Sequence, residues 1–336
     1  MASLVENNKD DSPDLVVVEA ILVPDTVYNA IDSCEYHLLA INSNGAVDHG
    51  KNNKFVVQYE PAPNTKYIDV SAGVSANYLL RDDGVIVRAV SEGIHSEITP
   101  PPKVKYTLVS SGNHASYFLR DDGKVDRTTG GGKIQLTIDE PTKTKYIDIV
   151  AGHVRTFFLR EDGVVDYSQN NGKINGTLSC DVDGVKYVKI SKFSMGVQTD
   201  KVDTNPYQVY LIRSDGAADK YTVGFSQQKE KSFAGTVTCA TADVKYISGS
   251  TSQVSTYLVR SDGAVDRIKS GVVISHTMNP PPGQKYIEAC AGNSCSYLLR
   301  SDGKIDRTKG HGSVSSTLNA PENLKKAGKT STCSIL

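Results

Sequence analysis

The chain is 336 residues long with a formal net charge of −1 at pH 7. So small a charge gives no bulk attraction to polyanions, and no nucleic-acid partner is expected. Charged residues make up 22% of the chain, and no apolar run is long enough to cross a membrane as a helix.

In chain order, residues 1–13 are polar and acidic, lack the apolar run of a secretory signal, and are expected to be disordered. Leu15 to Val23, followed by Pro24, reads as a strand with no unit of its own. From Val27-Tyr28 onward a single unit recurs. Lys-Tyr opens its later copies, at Tyr67, Tyr106, Tyr146, Tyr187, Tyr246 and Tyr286. Each unit holds four predicted strands. Strand A alternates and ends at a glycine, as in Lys66 to Gly73; strand B is short and apolar, as in Tyr78 to Arg81. Strand C runs through Val125-Asp126-Arg127 in the third unit, and strand D through Lys133 to Ile138, usually meeting a proline (Pro61, Pro100, Pro141, Pro280, Pro321). Between B and C stands an x-Asp-Gly step whose glycine supplies the positive φ of a tight hairpin. These glycines are Gly45, Gly84, Gly123, Gly163, Gly216, Gly263 and Gly303, spaced by 39, 39, 40, 53, 47 and 40 residues.

Four strands in a period of about 40 residues match one propeller blade. Strand B is apolar at adjacent positions, Leu79 and Leu80, Phe118 and Leu119, Leu298 and Leu299. Both its faces must therefore be covered, which radial stacking of sheets does and a two-layer sandwich does not. The expected fold is all-β: a seven-bladed β-propeller over residues 14–322, with four antiparallel strands per blade and a flexible basic tail at 323–336. Leu15 to Val23 matches the register of a strand D, so Val16 to Leu22 is expected to pair with the seventh blade and help close the ring. The six cysteines show no CxxC pair, and free thiols in a reducing, cytoplasmic setting are expected.

The units resemble those of the regulator of chromosome condensation family and of the β-lactamase-inhibitory propellers. The resemblance rests on Ile149-Val150-Ala151-Gly152, on His37-Leu38-Leu39-Ala40-Ile41-Asn42-Ser43-Asn44-Gly45, and on Gly123-Lys124-Val125-Asp126, and covers residues 25–322. The chain departs from the family pattern in lacking the Trp-Gly of strand C, and the His before strand B stands clearly only at His37. The resemblance implies a protein-binding regulator acting on a small GTPase or, as the alternative, an inhibitor of a hydrolase.

Little in the sequence suggests chemistry. The seven histidines do not fall at metal-ligand spacing, and Gly130-Gly131-Gly132 lacks the Lys-Ser/Thr and helix of a phosphate cradle. No metal, cofactor or catalytic residue is expected, and a lectin or enzyme is the least favoured class. An arginine precedes each later turn glycine by three residues, and an aspartate follows most of them by three, as in Arg120 and Asp126. The two lie diagonally across the B–C hairpin and predict a salt-bridged ladder. Lys66, Lys105, Lys145, Lys186, Lys245 and Lys285 enter the innermost strands on the same end of the ring.

The fifth unit carries two insertions, Lys192 to Pro206 between A and B, and Gly224 to Phe233 between C and D. Both connections emerge on the same face, so Phe193, Met195, Phe225 and Phe233 are the expected partner-binding residues. The chain ends Cys333-Ser334-Ile335-Leu336, a C-a-a-X box whose terminal Leu points to geranylgeranylation of Cys333. A monomeric, non-catalytic interaction module is expected, cytoplasmic or held peripherally at a membrane through Cys333.

Overall fold

A computed structural model of the chain describes residues 27–327, apart from 35–36, 52–53, 91–92, 130, 140–143, 153–154, 170, 194–206, 224–231, 270, 293–294, 310–311 and 322–323. It is a seven-bladed β-propeller. The strands A to D of blade one are Tyr28–Cys34, His37–Asn42, Val47–Lys51 and Lys54–Tyr59. Those of blade seven are Tyr286–Cys290, Cys295–Arg300, Ile305–Lys309 and Val314–Leu318. The strands A of blades two to six are Tyr67–Ser71, Tyr106–Ser111, Tyr146–Ala151, Tyr187–Ile190 and Tyr246–Thr251. Every blade is an antiparallel meander in chain order, with A innermost and D outermost.

The adjacent apolar residues of strand B do what the propeller reading requires. Leu79 joins the core between blades one and two, whereas Leu80 joins the core between blades two and three. Both are fully buried. The turn glycines hold φ between +77° and +95°. They are tight for a second reason: a Cβ on Gly84 would stand 2.8 Å from the Lys105 side chain of the next blade. The Gly84 carbonyl also accepts the Tyr106 N–H at 3.4 Å, and the equivalent bond recurs at every blade junction, ending with Tyr28 N–H to Gly303 O at 2.9 Å.

The arginine ladder exists with its expected diagonal pair, and each arginine also makes a shorter contact within its own turn. Arg120 lies 2.5 Å from Asp122, two residues on in its own turn, and 3.5 Å from Asp126. The strand C aspartate is buried, and its closer partners are hydroxyls: Tyr106 Oη at 2.8 Å and Thr137 Oγ1 at 2.6 Å. In blade two Val87 replaces that aspartate, and Arg81 turns instead to Asp83 and Glu97.

The tail was expected to lie free from residue 323. Instead Lys325–Lys326 pairs in parallel with Val57 and Gln58, adding a fifth strand to the outer edge of blade one. An open edge strand offers unpaired N–H and C=O groups, and the passing tail satisfies some of them. The expected partner strand Val16 to Leu22 lies outside the described residues. The five described cysteines are all free thiols.

Candidate functional site at the channel mouth

The seven strands A line a central channel. Each carries a bulge at the residue after its opening tyrosine, where the A–B register skips one position. A bulge leaves one residue out of the ladder and re-aims its side chain. The seven bulged residues are Asn29, Ile68, Thr107, Ile147, Val188, Ile247 and Ile287, all exposed. Five are β-branched hydrophobics exposed by 43–51%, and together they form a broken apolar lip around one end of the channel.

Just outside the lip stand the six lysines that precede the tyrosines, all exposed. Among the described residues, none of their ammonium groups forms an ion pair within 4 Å, although the Lys66 backbone N–H donates to Asp82 Oδ1 at 3.2 Å. The turn aspartates are held by the arginines instead, as Asp122 is by Arg120. Beside the turn aspartates held by arginines, Asp82, Asp121 and Glu161 share this rim with the six lysines, and Lys105 acts on Asp83 as well. Asp181, Asp183 and Asp243 lie farther out, in the D–A connections.

Behind the lip is a cavity of about 390 Å³. An innermost strand has a free edge, and this ring caps those edges with side chains from the neighbouring blade. Asp69 accepts the Val109 N–H at 3.0 Å, Asp148 the Ile190 N–H at 3.2 Å, Asp32 the Ala72 N–H at 2.8 Å and Glu288 the Ile31 N–H at 2.8 Å. Ser71, Ser110 and Ser250 do the same through their hydroxyls. Two lysines stand among the four carboxylates: Lys189, 3.2 Å from Asp148, and Lys192, 2.5 Å from Glu288. Burial raises the Asp32 carboxyl to about 6, although Lys192 and the Ala72 N–H pull the other way. Burial pushes Asp69 upward as well. Desolvation alone would lower Lys192, but Glu288 and Asp32 hold it well above the ordinary lysine value.

The first residues of the first insertion reach into the far end of the channel. Lys192–Phe193 leaves blade five and pairs in parallel with Ser250 and Thr251 of blade six. Phe193 packs against the cores of blades one and two and of blades four and five. Lys192 and Phe193 line the cavity together with Ile68 and Ile287 of the lip.

This placement separates the residues expected to act together. Phe193 lines the cavity at the far end of the channel. Phe233 lies on the outermost strand of blade five (Ser232–Val237), 54% exposed, its ring edge-on to Tyr221. Three strand spacings, about 14 Å, separate strand A from strand D within a blade. Met195, Phe225 and Cys333 lie outside the described residues. The lip went unseen in the sequence because Ile68 and its equivalents look like ordinary strand residues. Their one signal is an apolar residue directly after five of the seven buried tyrosines, out of step with alternation. His37 and His49, far apart in the repeat, meet with ring centroids 5.0 Å apart, and burial holds His49 down at about 3.

No protein-family model matches the chain, and no curated sequence matches it. Many solved structures share its fold. The Atg21 propeller in complex with the coiled coil of Atg16 superposes with a TM-score of 0.64 at 9% identity, over 87% of this chain and 99% of that one. Virginiamycin B lyase from Staphylococcus aureus gives 0.62 at 13%, over 85% and 95%. Yeast RCC1 (Prp20), bound to Kap60, gives 0.57 at 12%, over 80% and 79%. Identities this low show a common architecture and nothing finer.

Proposed function

We propose that this chain is a protein-interaction propeller that docks a partner segment on the channel mouth. The observation that carries the reading is the lip: five bulged Ile and Val side chains at one repeat position, held in water at the centre of a rigid ring. Exposed apolar groups so arranged suit burial against a partner. The surrounding lysines set its chemistry, favouring a segment with bulky apolar side chains flanked by Asp or Glu. The neighbours whose structures hold Kap60 or Atg16 support protein binding as a use of this architecture.

Kinship with the regulator of chromosome condensation family, action on a small GTPase, and inhibition of a hydrolase are particular forms of this proposal. So are a monomeric, non-catalytic, cytoplasmic protein and its peripheral attachment through Cys333. A photo-crosslinking residue placed at Ile68 or Ile247 tests the docking face in the native cell, with Phe233 as the control position. Discrete heavier species from the lip positions and none from Phe233 are expected. Crosslinks from Phe233 alone would move the site to the insertions.

A further inference from the structure

Six of the seven blade junctions are bridged by the chain itself, because strand D of one blade runs directly into strand A of the next, as from Tyr59 to Tyr67. The seventh is not. Blade one begins at Tyr28 and blade seven ends at Leu318, and they exchange no strand of their meanders. A covalent link keeps its neighbours at high effective concentration, so the unlinked seam is where the ring would open first.

We propose that this seam is held by two dedicated staples, an inner one supplied by the fifth-blade insertion and an outer one supplied by the C-terminal tail. The inner staple is Lys192. Its Nζ donates to Glu288 Oε1 of blade seven at 2.5 Å and to the Ile31 carbonyl of blade one at 3.3 Å, touching both sides of the seam. Glu288 completes the bridge with its other oxygen on the Ile31 N–H. Pairing of Lys192–Phe193 with Ser250 and Thr251 aims the lysine, and Phe193 anchors it against cores on both sides of the ring. Among the described ion pairs, Lys192–Glu288 is the one that joins blades that are not neighbours.

The outer staple is the continuation of blade seven. After Leu318 the chain crosses to blade one, where Lys325 and Lys326 pair with Val57 and Gln58. The Ala327 N–H donates to the Gln58 carbonyl at 2.8 Å, and the Ala327 side chain packs on the core of blades one and two. The tail is the missing link between blades, made by hydrogen bonds.

Hydrogen exchange on the full chain, read by mass spectrometry, tests both staples. Lys192→Met should speed exchange at residues 27–34 and 286–290 by roughly tenfold or more, with residues 106–111 and 146–151 within about twofold of the parent. Ala327→Pro removes the outer donor and should speed exchange at residues 54–59. Because both staples resist one opening, the double variant should accelerate the seam by about the product of the two single effects. Should Lys192→Met fail to fold, Glu288→Gln keeps an acceptor for the Ile31 N–H, weakens the ion pair, and should give the same local pattern. A seam as protected as in the parent, or equal acceleration of all seven inner strands, would overturn the proposal.

Discussion

Tyr106 Oη donates to Asp126 Oδ2 at 2.8 Å, linking the innermost strand of blade three to its third strand across the buried second. The same bond joins Tyr28 to Asp48, Tyr146 to Asp166, Tyr187 to Asp219, Tyr246 to Asp266 and Tyr286 to Asp306. Blade two is the exception: with Val87 in place of the aspartate, Tyr67 Oη reaches the Glu60 carbonyl at 3.3 Å. Losing a hydrogen bond to a buried charge costs about 1.5–3 kcal/mol, and losing a neutral one about 1. Tyr106→Phe should therefore lower the urea midpoint clearly more than Tyr67→Phe. Equal midpoints would mean that the phenol–carboxylate bond contributes nothing special.

Asp32 offers a test by pH. Its carboxyl is raised from 3.8 to about 6 by burial in the channel, among Lys192, Glu288, Asp69 and Cys290. A raised acid binds its proton more tightly folded than unfolded, so folding loses stability as pH climbs from about 4 to about 6. Asp32→Asn keeps an acceptor for the Ala72 N–H but removes the charge. It should stabilise the ring at pH 7.5, with a ceiling of about 3 kcal/mol from a shift of about two pKa units, and make little difference at pH 4. Thermal melts of the two proteins at both pH values check it; a variant destabilised at pH 7.5 contradicts it.

Phe193 and Phe233 should behave differently. Phe193 packs against two cores, whereas Phe233 is 54% exposed. Truncating Phe193 to Ala should lower stability by about 1–3 kcal/mol, and Phe233→Ala by less than about 1. Denaturant titrations measure both. Indistinguishable curves would contradict a stabilising role for the Phe193 packing.

Deleting residues 1–23 tests the proposed pairing of Val16 to Leu22 with the seventh blade. The outer strand there, Val314–Leu318, is largely exposed. Uncovering a strand edge invites pairing between molecules, so the truncated chain should melt earlier or self-associate. Sedimentation and melting decide; a monomer with unchanged melting refutes the pairing.

Intact-mass measurement on protein from its native cell tests prenylation. Geranylgeranylation with loss of Ser334 to Leu336 would change the mass and add membrane partitioning, reversible for one lipid beside Lys325, Lys326 and Lys329. The unmodified mass, with all three residues present, rules it out.

The architecture was legible because its causes are local. A glycine with positive φ closes each B–C hairpin, and adjacent apolar residues such as Leu79 and Leu80 demand a wall on each face of the sheet. Those two facts, repeated, imply radial blades. The candidate site was hidden because it depends on relations the repeat does not contain. Whether Ile68 faces a core or the channel is decided by a one-residue slip against its partner strand, and a slip of one exchanges the faces. Lys192 looked like the start of a surface loop, but its partner Glu288 is 96 residues away and comes within reach only when the ring closes. The basic tail looked solvated for the same reason: the edge it covers, Lys54–Tyr59, lies at the far end of the sequence. Period-two alternation records how a strand sits in its own sheet, whereas a closed ring creates neighbours that no local pattern can record.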